Sequence, residues 1–222
     1  MQHELQVMDS PDLVARVGAR YVAEHARAAV ADHGTFTFAI SGGHTPWAMF
    51  AELKETDMPW EQVSLFQVDE RCAPPGDPAR NLTHLQESLG DRKVTVNAMP
   101  VNATDVEAAT AGYADMLPRT FDLVHLGLGP DGHTASLVPG DPVLDVTGSL
   151  VAVTGTYQGN RRMTLTYPAL ARASQLLWLV TGEDKREPLA RLLAGDPSIP
   201  AGRVEAPHSL ILADAAAAQP PD

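Results

Sequence analysis

Short β-rich runs recur along this chain, and most of them break into glycine or proline just before a helical pattern starts. Thr35 to Ile40, Val63 to Val68, Val94 to Met99, Leu123 to Leu128, Gln175 to Val180 and Ser209 to Ala213 are runs of this kind. Stretches suited to helices separate them. Strands that alternate with helices imply an α/β fold with a mainly parallel sheet flanked by helices. Two further short runs, Val151 to Val153 and Arg161 to Thr166, also read as strands. With no internal repeat and no linker, the simplest organisation is one domain over residues 1–222. Open sheets of this class place ligands in the crevice outside the carboxyl ends of their strands. The loops that follow the strands are therefore where chemistry is expected.

Local signals fix several helices. Ser10-Pro11-Asp12 supplies a cap, a proline at the first position and an acid near the positive helix end, so a helix should run from there to about Asp32. Thr45 is expected to cap a second helix that begins at Pro46. Asn81 to Leu89, closed by Gly90, Asp105 to Leu117 and Tyr167 to Ala173 read as further helices, and Lys185 falls in the first turn of another. Ala215 to Asp222 is expected to trail off without order.

Composition removes several classes of function. A net charge of −12 opposes nucleic acid or an anionic membrane as the main partner. A small anionic substrate remains open, because charges are screened over about 8 Å. No apolar run reaches the length of a membrane span. The first residues show no basic segment followed by an apolar stretch, and a single cysteine, Cys72, fits a reducing compartment. The expectation is a cytoplasmic protein, monomeric or weakly self-associating, acting on a small molecule.

Four strand ends carry chemical potential. The first is Gly127-Leu-Gly-Pro-Asp131-Gly-His133, which sets an acid and an imidazole two residues apart after a buried strand. Its Gly127-x-Gly129-x-x-Gly132 pattern matches the dinucleotide fingerprint. However, Asp131 would face the pyrophosphate, and the expected acid about 20 residues on has no clear strand to end. Read locally, the stretch serves equally as a glycine turn in which His133 caps a following helix. The second is Ser41-Gly42-Gly43-His44-Thr45-Pro46, where glycines and a helix N-terminus could aim several N–H groups at one anion. An ordinary turn would look the same. The third, Asp69-Glu70-Arg71, is either a fixed polar site or a solvated turn. The fourth is Gly182-Glu-Asp-Lys185. Its lysine near a helix start hints at an anionic ligand, although a lone lysine is more often simply solvated.

Taken together, Ser41 to Pro46, Asp69 to Arg71, Gly127 to Pro139, Arg162 to Thr166 and Gly182 to Lys185 resemble the 6-phosphogluconolactonase family over roughly residues 35–195. The resemblance implies the Rossmann-like fold shared with the glucosamine-6-phosphate deaminases. It also implies hydrolysis of 6-phospho-D-glucono-1,5-lactone in the pentose phosphate pathway. There are departures: His44 stands where the family commonly has serine, Cys72-Ala73 and Arg80 differ from its pattern, and Tyr157-Gln-Gly-Asn160 replaces a proline-rich approach to Arg162. The glutamate that assists ring opening in the deaminases would fall at Val138, which cannot move a proton.

In this frame His133 is the general base, since an imidazole titrates near neutral pH. Asp131 or Asp69 orients it. Ser41, Gly42, Gly43 and Thr45, with Arg162 and Lys185, grip the 6-phosphate, and Arg71 or backbone N–H groups stabilise the intermediate. No cofactor and no metal are expected, as no ligand spacing links His44, His125, Asp131 and His133. Ser136 reads as a structural helical serine, with no Gly-x-Ser-x-Gly elbow for a covalent route. A deaminase-like enzyme and a non-catalytic sugar-phosphate sensor are the alternatives.

Overall fold

The computed structural model describes residues 3–220. A seven-stranded sheet, parallel at every pairing, runs through the molecule in the order β1-β10-β9-β6-β2-β3-β5. Its strands are β1 (Glu4–Met8), β2 (Phe36–Ile40), β3 (Val63–Gln67), β5 (Thr95–Asn97), β6 (Leu123–Leu126), β9 (Gln175–Val180) and β10 (His208–Asp214). Three more strands, β4 (Asp69–Arg71), β7 (Val151–Val153) and β8 (Arg162–Leu165), form a small antiparallel sheet in the order β4-β8-β7. Strand order reverses between β2 and β6. That is the switch point where doubly wound sheets open a crevice.

Two apolar layers cover the large sheet. On one face α1 (Pro11–His33) and α2 (His44–Leu53) pack Val14, Ala19, Val22, Met49 and Phe50 against Phe38, Ile40, Leu177 and Leu179. On the other face Val124, Leu126, Leu176 and Trp178 meet α4 (Val106–Met116), α6 (Arg186–Leu193) and the small sheet, through Tyr113, Leu189, Met163 and Leu165. The remaining helices are α3 (Asn81–Leu89) and α5 (Tyr167–Leu170).

Most element expectations hold within a residue or two. Ser10 caps α1 and accepts from Leu13 N, and Gly34 closes it at φ 86°. Thr45 is not a cap: α2 starts two residues earlier, at His44 with Gly43 as its cap, and the Thr45 hydroxyl is instead bonded to that of Thr181, at 2.9 Å. Lys185 ends a short 3-10 turn, Glu183–Lys185, that leads into α6. The tail also departs from expectation. The Asp214 carboxylate accepts from Ala217 N, and Ala217 is buried in the core, so the chain is packed beyond β10. Residues 221–222 of that tail lie outside the described residues.

His125 is the odd member of the core. It sits on β6 between Ile40 of β2 and Leu177 of β9, fully buried, and neither ring nitrogen has a hydrogen-bond partner among the described residues. Alternation along β6 turns it to the face of Leu123, against the α1–α2 layer. Burial lowers its pKa from 6.5 to about 3. The unfolded chain binds this proton near 6.5 and the folded one only near 3, so stability is complete above that window and lost as pH falls through it. At pH 5 the loss is about 2 kcal/mol. Urea midpoints at pH 7 and pH 5 should therefore fall further for the wild type than for His125→Leu. An equal fall in both would mean that the imidazole is not held neutral.

Candidate active site

Four of the loops singled out in the sequence meet at the carboxyl ends of β2, β3, β6 and β9, around a cleft of ≈ 500 Å³. Ser41, Gly42, Gly43, Thr45, Asp69, Arg71, His133, Arg162 and Lys185 all line it. Asp131 stands just behind His133.

The loop after β6 is shaped around the imidazole. Gly129 N donates to His133 O at 2.8 Å and Gly132 N to Gly129 O at 3.0 Å, closing a tight turn. A side chain at Gly129 would collide with the ring, its Cβ falling 2.0 Å from His133 Nδ1. No helix follows: Thr134 and Leu137 pair as a bridge, and Ala135 is left-handed at φ 53°. His133 is therefore not a helix cap. A dinucleotide site, which needs a helix N-terminus here, has none to use.

His133 Nδ1 lies 2.5 Å from Asp131 Oδ1, and the same oxygen accepts from His133 N at 3.1 Å. Burial alone would raise the Asp131 pKa, but the hydrogen bonds and charge of His133 outweigh it, and Asp131 sits below the usual carboxylate range. Asp69 does not share this task. Its carboxylate accepts from the Ser136 hydroxyl at 2.6 Å and, more weakly, from Asn81 Nδ2 at 3.4 Å. Ser136 is fully buried in the loop rather than on a helix, and Ser136 N bonds the Thr164 hydroxyl. Asp69 and Ser136 thus join the His133 loop to the small sheet.

The charged loop after β3 is no solvated turn. Asp69-Glu70-Arg71 forms β4, paired with β8 so that Arg71 faces Arg162 directly. Two guanidinium groups on facing residues repel unless an anion lies between them. Arg71 is partly engaged, donating to Ala79 O at 3.1 Å and to Asn81 Oδ1. Arg162 is almost fully buried, yet among the described residues its Nε has no partner and its Nη2 makes a long bond of 3.3 Å to Gln158. Burial depresses its pKa, and Asp69 partly restores it. Such a guanidinium is short of acceptors.

Glu70 points the other way and is wholly buried. Its carboxylate accepts five donors: Gln67 Nε2, Arg71 N, Arg80 Nε, Asn81 N and Leu82 N. Two of these are free N–H groups at the start of α3, so Glu70 fixes that helix against β4. Asn81 is thereby brought so close to the Ser41 loop that a Cβ on Gly42 would fall 1.9 Å from its Oδ1.

The Ser41 hydroxyl is buried at the cleft and has no hydrogen-bond partner among the described residues. Gly43, at φ 137°, opens α2. The Thr45–Thr181 hydrogen bond ties this turn to the one after β9, which carries Lys185. The Lys185 ammonium is 2.6 Å from Asp184, so its charge is shared. His44 is exposed on the rim. Among the described residues, no three His, Cys, Asp or Glu side chains are grouped so that they could hold a metal ion. Likewise, no helix of the described residues is long and apolar enough to cross a membrane.

A family model described as glucosamine-6-phosphate isomerases/6-phosphogluconolactonase matches residues 9–213. The chain belongs to this family.

Within the glucosamine-6-phosphate isomerase/6-phosphogluconolactonase family, the chain is 34% identical to a 6-phosphogluconolactonase of Synechocystis over 180 residues, 75% of each chain. It is 33% identical to that of Streptomyces coelicolor over 251 aligned positions, covering 95% of this chain and 94% of the relative. A crystal structure of a 6-phosphogluconolactonase from Shewanella baltica superposes with a TM-score of 0.88 at 25% identity, covering 96% of this chain and 98% of that one. A monomeric glucosamine-6-phosphate deaminase shares the fold, with a TM-score of 0.86 at 17% identity.

Several residues of this family member's cleft carried no expectation from sequence. Asn81, Gln158 and Thr181 line it, and Tyr157 reaches Asp131 from outside. Tyr157 and Gln158 drew notice only as part of a departure from the family pattern, and Asn81 only as a helix start beside another. Their roles depend on tertiary approach, which no local spacing reports.

Proposed function

We propose that the protein hydrolyses 6-phospho-D-glucono-1,5-lactone to 6-phospho-D-gluconate, with His133 as general base. The observation that carries the mechanism is the Asp131–His133 pair at the cleft wall. A carboxylate on Nδ1 favours the tautomer protonated there and leaves Nε2 free to take a proton from water. That water attacks the lactone carbonyl. Backbone N–H groups of the Gly42–Gly43 turn and the Arg71 guanidinium are the donors available to the oxyanion. Collapse expels the ring oxygen, which takes the proton back from His133.

The facing arginines and the Ser41 turn support a phosphate grip made of Ser41, Gly42, Gly43, Thr45, Arg162 and Lys185. Asp69 serves as a brace for the His133 loop. Val138, the position of the deaminases' ring-opening glutamate by resemblance, is a buried aliphatic, which argues against deamination. A pure sensor would have no use for the Asp131–His133 pair. The reading includes a cytoplasmic, monomeric or weakly associating enzyme, in keeping with one cysteine and a net charge of −12.

The test is the decay of freshly generated lactone against a protein-free blank, since lactones also open unaided. Wild type should accelerate it; decay no faster than the blank overturns the reading. In the same assay Arg162→Ala should lower kcat/KM by about 10- to 100-fold, because each hydrogen bond to a charged group contributes roughly 1.5–3 kcal/mol. Unchanged kinetics would remove Arg162 from the grip.

A further inference from the structure

Tyr157 to Asn160 is where this chain departs from the proline-rich segment of its family, and the departure touches both halves of the site. The Tyr157 hydroxyl donates to Asp131 Oδ2 at 3.1 Å, the oxygen that His133 does not use. Its ring stands edge-on to the His133 imidazole, with centroids 5.4 Å apart. The Arg162 guanidinium lies over the same ring, 5.0 Å from its centroid. One side chain therefore contacts the acid, the base and the buried cation.

The backbone beneath it is a tight hairpin. Tyr157 and Asn160 exchange backbone hydrogen bonds at 3.0 and 3.2 Å around Gln158 at φ 50° and Gly159 at φ 84°. Two left-handed residues in succession make the turn that suits a twisted ribbon. Glycine fits its second position without strain, whereas glutamine does not favour the first. Gln158 nevertheless occupies it, and its Oε1 accepts from Arg162 Nη2 at 3.3 Å. A strained residue whose side chain reaches into a site is a common signature of function.

We infer that Tyr157 is a positioning residue for the lactonase reaction. Its hydroxyl fixes Asp131 so that Asp131 can hold His133, and its ring and turn hold Arg162 against the cleft. The inference rests on the proposed hydrolysis and adds a third member to the acid–base pair. Fixing both Asp131 oxygens leaves the carboxylate one rotamer, and His133 one direction for Nε2. The ring supplies Arg162 with the face contact that its buried guanidinium otherwise lacks.

The experiment compares wild type, Tyr157→Phe and Tyr157→Ala. Tyr157→Phe keeps the ring and loses only the hydroxyl, so kcat should fall by about 10-fold with KM nearly unchanged. Tyr157→Ala should add a rise in KM, as Arg162 loses its platform. A second readout needs no turnover. The proton between His133 Nδ1 and Asp131 should give a downfield proton NMR signal in the wild type that broadens or disappears in Tyr157→Phe. Unchanged kcat together with an unchanged signal in Tyr157→Phe overturns the inference and leaves the lactonase reading intact. A wild type that shows the signal, lost in Tyr157→Phe, but no turnover overturns the lactonase reading and leaves the positioning of the pair intact.

Discussion

His133→Ala should bring lactone decay close to the blank, a fall of about 10²- to 10⁴-fold in kcat, the range a positioned general base contributes. The loss should be selective. The proposed phosphate grip comes from the Ser41 turn, Arg162 and Lys185, none of which is bonded to the imidazole, so 6-phosphogluconate should bind the variant with nearly wild-type affinity. Calorimetric titration of the product, run beside the decay assay, separates the two effects. A fully active His133→Ala protein would place the base elsewhere, and the Asp131–His133 contact would then be a device for closing the loop. Equal loss of activity and binding would mean that the loop itself had collapsed.

The largest expected effect on stability is at Glu70. Replacing it with alanine strands Gln67 Nε2, three backbone N–H groups and the Arg80 guanidinium in a buried region. Breaking a buried pair from one side costs about 3–5 kcal/mol. For a chain of this size that lowers the thermal midpoint by roughly 10 °C. Arg80→Ala should cost less, since Glu70 keeps four other donors and only Asn102 Oδ1 loses a partner. Calorimetric midpoints of both variants test the order. If Arg80→Ala proved the worse of the two, the ion pair rather than the start of α3 would be the centre of this cluster. Glu70→Ala should also lower activity, because Asn81 and Arg71 meet beside the Ser41 turn.

Much of the architecture was legible because each central strand is a compact β-rich run that ends in a recognisable break. Phe36–Ile40, Val63–Gln67 and Gln175–Val180 need no partner in order to be seen. β1 escaped notice because Glu4–Met8 is an edge strand, with Leu5 and Val7 exposed and a pairing set by β10, far along the chain. β4 escaped for the opposite reason. Three charged residues in a row look like a turn, and they form a strand only because β8 supplies the ladder and α3 the donors for Glu70. The same split divides the site. Asp131 and His133 stand two residues apart, so sequence could show them together. The separation of Asp69 from the imidazole, the facing of Arg71 and Arg162, and the reach of Tyr157 to Asp131 are products of packing between distant segments.

The position of β10 has a consequence for biosynthesis. Among the described strands β1 is the earliest in the chain, and its one neighbour in the sheet, β10, is the latest. At ~5–20 residues per second, the ribosome takes roughly 10–40 s to deliver His208–Asp214 after Glu4–Met8 has emerged. Throughout that interval Leu5 and Val7 have no strand to pair with, and β9, once made, keeps its outer edge open until β10 follows. The nascent chain can assemble its central strands early, but it cannot close this sheet until His208–Asp214 has emerged. A holdase that recognises short apolar β segments would find its binding site at Glu4–Met8 for as long as β10 is still to come.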